Sequence, residues 1–375
     1  MKLRLGAALF GLGVLLLVFA AGLPFYVAPA VKKLPYDLEP TTSVAEAKGA
    51  KFLKITADGS SVSIEVPQAD LVSSIEVIPQ PDDTKDRLPK ELDGNAMIWD
   101  VYQTVKRGDT QDVISQYSTE LALYRISGAA APWDEQWLNE SGADQVPVGN
   151  VRYSGQVYKF PFDTSKRDYD VFDRDLKKPF SARYTGTEKI KGIETYRFEQ
   201  RIQNEVLNTP QDSIQTLIGK FAPGATSGQV VYSNTRTLWV DPVTGAYVKV
   251  REQQYKELRP DTGSPTVLLD ADFVYNEDTI SRSVETVKEN RFKIGMVSLW
   301  GPIIAGVLGL IALVAGVWLV TRPNGNNARH RADPPATDPT STRVDQEPVG
   351  GPLDDEIPPA STNWRSGDAS VPERR

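Results

Sequence analysis

Four aspartates form the densest acidic cluster of the chain, within residues 166–175. Carboxylate oxygens at such close spacing could bind calcium. The segment nevertheless lacks the glycine and the closing glutamate of an EF-hand loop. We therefore predict no metal site here and interpret the cluster as a solvated loop. Its members are Asp168, Asp170, Asp173 and Asp175.

Composition excludes histidine and cysteine chemistry. His330 is the only histidine, and the chain has no cysteine. A Ser-His-Asp triad, a Cys-His pair and a zinc site of histidine or thiolate ligands therefore cannot form within residues 32–293. No P-loop or G-x-G-x-x-G sequence indicates nucleotide binding. We predict a protein that is not an enzyme and has no cofactor. A hydrolase that uses only paired carboxylates is the remaining catalytic alternative.

An amphipathic helix is predicted behind Asp212 and Ser213, which are typical of a helix N-terminus. Apolar side chains follow at the i, i+3, i+4, i+7 spacing of one helical face. Laid across a curved sheet, such a helix could close an apolar cavity; otherwise it seals a hydrophobic core. Four aromatic residues are predicted to line this cavity together with the helix. The candidate ligand-binding residues are Trp99, Trp239, Tyr247, Ile214, Leu217, Ile218 and Phe221.

Period-two alternation dominates the middle of the chain. Apolar and polar residues alternate over residues 62–66 and 196–202, which is typical of half-buried antiparallel strands. Residues 238–250 read as a hairpin around an Asp-Pro-Val-Thr-Gly turn, and residues 267–275 as a further strand. Residues 279–292 are predicted to be helical. The middle of the chain is therefore expected to be mainly antiparallel sheet.

Two uncharged apolar runs, residues 5–31 and 294–321, flank this β-rich region. Each exceeds the roughly 20 apolar residues that a helix needs to cross the hydrocarbon core of a bilayer. A cleavable signal peptide is the alternative for the first run. In the second run, small residues four apart permit close helix packing. The predicted fold class is mainly β (α+β): a curved antiparallel sheet or barrel-like domain with a few helices, flanked by two transmembrane helices.

Lysines and arginines beside the runs set the predicted orientation. Lys2 and Arg4 precede the first run, and three arginines follow the second. The positive-inside rule then places both termini in the cytoplasm and the large domain outside the inner membrane. The predicted organisation is a cytoplasmic end with a transmembrane helix (1–31), an extracytoplasmic β-rich domain (32–293), a transmembrane helix (294–321) and a disordered Pro-rich cytoplasmic tail (322–375).

Charge limits the class of partner. The chain has a net charge of −7 and no basic stripe. A nucleic-acid partner is therefore not expected, because binding phosphates requires a positively charged surface. Without cysteine the exported domain has no disulfides, so a packed core must stabilise it.

Three phrases occur in a fixed order between the two runs. They are KFPFDTSKRDYD (159–170), YTGTEKIKGIETYRF (184–198) and LWVDPVTG (238–245). With the flanking runs they resemble the actinobacterial PorA-like family, which includes mycobacterial PgfA-type envelope proteins. The resemblance covers residues 1–322. It implies a mycolate-bearing host, a periplasmic domain and a part in trafficking or organising envelope glycolipids.

The leading hypothesis is a membrane-tethered module that binds lipid or glycolipid and assists envelope lipid trafficking. Its expected partners are membrane lipids or glycolipids, with an envelope lipid transporter as a further candidate. The alternative is an envelope scaffold or receptor that binds other membrane proteins. A porin ranks lower, because two helices cannot enclose a water-filled pore and a spanning barrel needs an apolar lipid-facing band. The charged residues that would occupy alternating strand positions are Arg197, Glu199, Arg201, Lys249, Arg251 and Glu252.

Overall fold

The computed structural model describes residues 2–58, 61–140 and 147–322. The predicted Pro-rich tail, with His330, lies outside the described residues beyond Arg322. The helices are α1 (Lys2–Gly22), α2 (Ala28–Val31), α3 (Pro81–Arg87), α4 (Gln211–Phe221), α5 (Glu277–Gly295) and α6 (Gly301–Thr321), with π-helical turns at Leu23–Val27 and Met296–Trp300.

Strands make up most of the middle of the chain. In chain order they are β1 (Thr41–Phe52), β2 (Lys54–Asp58), β3 (Ser61–Glu65), β4 (Gln68–Gln80), β5 (Ala96–Arg107), β6 (Val113–Tyr124), β7 (Trp137–Asn139), β8 (Tyr169–Asp173), β9 (Lys178–Ile190), β10 (Ile193–Val206), β11 (Gly228–Val240), β12 (Tyr247–Pro260) and β13 (Thr266–Tyr275). The predicted hairpin over 238–250 and the predicted strand over 267–275 are confirmed.

Eleven of these described strands form one antiparallel sheet, in the order β7-β6-β5-β4-β1-β13-β12-β11-β10-β9-β8. The sheet curls into a half-barrel. Gln156 forms isolated bridges with Ala129, next to the β6–β7 end of the sheet, and with Val171 on β8. This segment therefore joins the two ends of the sheet. The predicted mainly β, curved antiparallel fold is confirmed.

The β11–β12 turn shows why the hairpin folds as its sequence predicts. The Asp241 carboxylate accepts hydrogen bonds from the backbone N–H and the hydroxyl of Thr244 at 2.8 and 2.5 Å. Gly245 has a φ of 73°, and a Cβ there would lie 2.0 Å from the carbonyl oxygen of Phe160. Only glycine fits this position, because the turn packs directly against the chain segment that crosses the half-barrel.

The predicted helix over residues 279–292 is confirmed as α5. Asn276 caps it by accepting a hydrogen bond from the backbone N–H of Thr279. The helical rod continues from α5 through the second π-helical turn into α6, over Glu277–Thr321. This rod and the helix over Leu3–Val31 are each long and apolar enough to cross a membrane.

Close backbone contacts hold α1 against α6. A Cβ added at Gly13 would lie 2.7 Å from the backbone nitrogen of Leu313, and one added at Gly316 would lie 2.7 Å from the backbone nitrogen of Phe10. The small residues therefore allow the two helix backbones to touch. Gly309 and Gly316, two small residues of the second apolar run, lie in this contact.

Candidate functional site

Charged side chains lie on the inner face of the half-barrel, where an apolar core is the usual arrangement. We define the inner face as the face of β10, β11 and β12 that carries Phe198 and Leu238, which form one core cluster with Phe160. Cross-strand register and period-two alternation put further residues on the same face. These are Gln200 of β10, Tyr232, Asn234 and Arg236 of β11, and Glu252, Gln254 and Lys256 of β12.

We call the inner face of β10, β11 and β12 one wall of the half-barrel. Its polar side chains pair with one another. Arg236 donates from Nε to Glu252 Oε1 at 2.6 Å, and its side chain is only 15% exposed. The same guanidinium donates to Gln200 Oε1 at 3.3 Å, and the Gln254 amide donates to Glu252 Oε2 at 2.7 Å. Removing charges from water costs free energy that only good pairing offsets. The wall therefore keeps its charges by forming a continuous polar network.

The turn between β8 and β9 inserts more charge into the half-barrel. We name residues 173–177 the plug turn. Its Asp173 is 1% exposed and accepts from the hydroxyl of Tyr232 at 3.1 Å, with Arg236 Nη2 3.7 Å away. Asp175 Oδ1 lies 2.5 Å from Lys256 Nζ. The plug turn thus contacts both β11 and β12.

Arg174 extends from the plug turn to the opposite wall. Its Nη1 donates to Gln103 Oε1 of β5 at 2.9 Å. Its guanidinium carbon lies 4.2 Å from the ring centroid of Tyr117 on β6, within cation–π range. Because β5 and β6 lie far from β11 and β12 in the order of the sheet, one turn bridges both walls of the half-barrel.

Burial and ion pairing shift the pKa values of the two aspartates of the plug turn in opposite directions. Desolvation raises the pKa of Asp173, although Arg236 opposes the effect. Desolvation also acts to raise the pKa of Asp175, but the charges of Lys256 and Arg174 outweigh it and lower that pKa to about 2. Asp175 is therefore ionised in the folded protein and holds Lys256 by a charge-assisted hydrogen bond.

Asn234 lies between Tyr232 and Arg236 on β11 and is 2% exposed. Among the described residues, neither its side-chain nitrogen nor its side-chain oxygen has a hydrogen-bond partner. Since buried polar groups are normally hydrogen-bonded, this amide offers a donor and an acceptor to a polar molecule inside the half-barrel.

The interpretation of the aspartate cluster as a solvated loop is wrong for Asp173 and Asp175, which lie in the network. It fits Asp168, which is exposed in the loop before β8, whereas Asp170 is exposed but lies within β8. Asp168 accepts from the backbone N–H of Tyr184. Within the described ranges, no group of three or more histidine, cysteine or acidic side chains is placed to hold a metal ion. No local pattern indicated what faces Asp173, because its partners lie about 60 residues further along the chain.

The seven predicted ligand-binding residues lie in separate places. Ile214, Leu217 and Ile218 pack on Val230, Leu258 and Leu268, with Phe221 at the edge of that cluster. Helix α4 therefore covers a filled core where β11 and β13 begin and β12 ends.

The aromatic members of the set lie elsewhere. Trp99 joins the cluster of Leu121 and Phe172. Trp239 points to the face opposite Leu238 and donates from Nε1 to Glu188. Tyr247 packs edge-on against Phe160. The structure does not bring these aromatics together with α4 around one cavity.

Two clefts that open on the surface of the described residues have other linings. One of about 660 Å³ lies beside the N-terminus of α5, between Glu46, Lys48, Asp272 and Glu277. A second, of about 180 Å³, lies between Tyr102, Gln103 and Tyr117. Neither is lined by any of the seven predicted residues, and both present mainly polar side chains.

A second buried charge pair connects the sheet to α5. Asp241, which is fully buried, accepts from Arg291 Nε at 2.6 Å. Nearby, Lys159 is 6% exposed, donates to the carbonyl of Phe160 at 2.8 Å and lies over the ring of Phe162. Burial lowers the pKa of Lys159 to about 7, against the opposing effect of Asp241. This joint fixes the orientation of α5 and hence of the rod that continues into α6.

Comparison with known proteins gives consistent results. A family model described as Porin PorA matches residues 5–318. A Porin PorA of Corynebacterium resistens is 23% identical over 402 residues, covering 84% of this chain and 96% of the relative. A Porin PorA of Corynebacterium amycolatum is 21% identical over 384 residues, covering 84% of this chain and 98% of the relative.

These names overturn the leading functional hypothesis. The prediction that the protein chiefly binds lipid or glycolipid for envelope trafficking is wrong, and so is the low rank given to a porin. The structure supplies a physical reason: an acyl chain on the inner face would contact desolvated charges such as Arg236 and Asp173. Period-two alternation did contain this signal, because Arg236 stands two residues before the inward-facing Leu238.

Proposed function

Because the chain belongs to the PorA family, we propose that it forms pores in a membrane, as the name of the family and of its curated relatives indicates for those proteins. The observation that carries the proposal is the charged inner face of the half-barrel. Inward-facing polar side chains are what water-filled pores share. In this chain, charged side chains lie on the inner face although burying a charge costs free energy. Their presence favours a role in passing polar solutes or ions.

The proposed topology follows the two apolar helices. Both would cross the inner membrane, with the termini in the cytoplasm and the half-barrel outside it. Trp300 and Trp318 stand near the ends of α6, where interfacial aromatic residues anchor transmembrane helices. Lys2, Arg4 and Arg322 supply the cytoplasmic positive charge. Cysteines introduced singly at Gln253, which is exposed on the half-barrel, and at Ser341, which follows the second apolar run, and labelled from one side of the membrane, test this orientation.

The conducting form would contain several copies of the chain. The outer face of the sheet is charged, with Arg251 paired to Asp272 at 2.6 Å across β12 and β13, so lipid does not cover it. The helices must therefore cross the bilayer. Two apolar helices cannot surround a water-filled path, whereas helices from several copies can, with the half-barrels forming its mouth.

Conductance measurements test the proposal directly. The purified full chain is added to planar lipid bilayers under a salt gradient, and discrete current steps are expected. Arg236→Gln removes a positive charge from the inner face, so the reversal potential should shift toward cation selectivity. Glu252→Gln should shift it the opposite way. Arg251→Gln, on the outer face of the same strand as Glu252, is the matched control and should leave the reversal potential unchanged.

The reversal potential does not depend on how much protein inserts, so modest losses of stability leave the comparison valid. Absence of current steps at every protein-to-lipid ratio would overturn the proposed function. Steps whose selectivity is the same in all three variants would show that ions do not pass the inner face.

A further inference from the structure

The plug turn fills the inside of the half-barrel by contacting walls on both sides. Asp173 and Asp175 contact β11 and β12, and Arg174 contacts β5 and β6. A turn that only connected two neighbouring strands would need none of these contacts. The side chains of residues 173–175 therefore hold the turn inside the half-barrel, between its two walls.

Ion pairs and hydrogen bonds are the interactions that hold the plug turn in place. The apolar member of the turn, Leu176, is only partly buried, and Lys177 is exposed, where it pairs with Glu140 at 3.1 Å. A turn anchored by apolar side chains would lose buried area on leaving the interior. Charged side chains instead regain hydration, which offsets most of the lost pairing. This kind of anchor suits a turn that moves.

The wall beneath the plug turn is built to remain folded without it. Arg236 keeps its bond to Glu252, and Gln254 keeps its bond to the same carboxylate. Departure of the turn takes Asp173 away from Tyr232 and from Arg236, which still pairs with Glu252. Lys256 loses its carboxylate partner Asp175. The ion pair between Lys256 and Asp175 therefore holds the plug turn against the wall.

Asn234 lies on the part of the inner face that the plug turn covers. It lies between Tyr232 and Arg236, and the turn contacts both of these residues through Asp173. Its amide is buried without a partner among the described residues. The turn therefore covers a buried group that is able to hydrogen-bond a polar solute once the turn has moved.

From this geometry we propose that the plug turn is a gate, which opens the polar interior of the half-barrel when the contact between Asp175 and Lys256 breaks. The inference rests on the proposed pore function and adds its regulation. We assign the structure to the closed state, because Arg174 contacts β5 and β6 while Asp175 contacts β12. In the open state the turn swings outward about the ends of β8 and β9, and Asn234 becomes accessible to water.

Thiol labelling tests the gate without relying on conductance. Because the chain has no cysteine, Asn234→Cys places a single thiol beneath the plug turn. A water-soluble methanethiosulfonate reagent should modify it slowly in the otherwise native chain. Adding Lys256→Met should raise the rate about tenfold, the effect expected when an opening equilibrium loses one charge-assisted hydrogen bond. Asp175→Asn is a second, smaller change with the same expected direction.

The matched control uses the outer face of the same strand. Arg251→Met removes a cation of β12 that is also paired with an aspartate, and it should not alter labelling of Asn234→Cys. A thiol at Gln253→Cys, which is exposed on that face, should react rapidly in every background. Near-ultraviolet circular dichroism of each variant identifies any that has unfolded.

The results separate the gate from the pore. Equal labelling of Asn234→Cys with and without Lys256→Met and Asp175→Asn, in folded protein, would overturn the gate. Faster labelling, together with longer open times of the current steps in the Lys256→Met chain, would support it. Faster labelling with no current in any variant would leave the moving turn established and overturn the proposed pore.

Discussion

The surroundings of Asp100 disfavour the ionised form of its carboxyl group. It lies on β5 directly opposite Glu120 of β6, and like charges in this position destabilise a sheet. Arg87 of α3 binds both oxygens of Glu120 at 2.8 Å, whereas Asp100 receives one hydrogen bond, from Gln80. Burial, and then the charge of Glu120, raise the pKa of Asp100 to about 6 from an ordinary value of 3.8.

Asp100→Asn should therefore change how stability depends on pH. A raised carboxyl pKa means that the folded state binds its proton more tightly than the unfolded state. The stabilisation is complete below pH 3.8 and is lost as pH rises to about 6. Above pH 6 the variant should melt at a higher temperature than the parent, and at pH 3.5 the two should coincide.

Melting followed by circular dichroism between pH 3.5 and 8 measures this difference. Asp93→Asn, at an exposed aspartate, is the control and should follow the parent. A melting profile of Asp100→Asn parallel to that of the parent would contradict the assignment.

Lys159 gives a second pH dependence of opposite sign. Its pKa is lowered to about 7 from an ordinary value of 10.5, so between these values the unfolded state binds more protons and stability rises with pH. Lys159→Met keeps an unbranched side chain and removes the charge. We expect the parent to gain stability between pH 7 and 9.5 and the variant to lose that slope. Lys288→Met, at an exposed lysine of α5, should retain it.

At the scale of elements, α4 shows how an amphipathic pattern becomes a sealed core. Leu217 is 6% exposed against Val230 and Leu258, whereas Gly219 is exposed, with nothing within 4 Å of a Cβ placed there. Leu217→Ala should cost about 2–5 kcal/mol in the free energy of unfolding. Gly219→Ala should add about 1 kcal/mol, because it removes backbone freedom from the unfolded chain. Urea unfolding measures both, and equal effects would contradict the orientation of α4.

The contact between α1 and α6 yields a prediction about glycine position. Gly13 has backbone atoms of α6 within 2.8 Å of its would-be Cβ, whereas Gly11, two residues earlier on α1, has none within 4 Å. Gly13→Val should force the helices apart and lower the melting temperature in detergent micelles. Gly11→Val should have little effect. Similar melting of both variants would show that this helix pair does not form.

At the scale of the whole molecule, the joint between Asp241 and Arg291 connects the half-barrel to the helices. Arg291→Gln leaves a fully buried carboxylate without its cation, which typically costs about 3–5 kcal/mol. Hydrogen exchange of the β11–β12 turn and of α5 should increase together, because the joint couples them. Lys293→Gln, which removes only an exposed pair with Glu289, should change neither. Faster exchange in α5 alone would contradict the coupling.

Family membership is the feature of the whole molecule that the sequence predicted best. The match of the family model over residues 5–318 confirms the resemblance that three short phrases indicated. The conclusion drawn from it about lipid trafficking was wrong, because a family likeness does not specify what lines the interior of a fold. Non-enzymatic function and the absence of a nucleic-acid partner stay predictions.

The sequence by itself determined the local structure of this protein. Apolar run length set the two long helices, period-two alternation and turn residues set the hairpins, and the spacing of four apolar residues set α4, because each depends on neighbours a few residues apart. Only the tertiary structure decided the plug turn, the charge network and the joint at Asp241. These depend on which side chains the curl of the sheet brings together: Arg174 with Gln103, Asp175 with Lys256, and Asp241 with Arg291 lie 71, 81 and 50 residues apart in the chain. Alternation shows which face a residue occupies, but the element that packs against that face is fixed only when distant segments fold together.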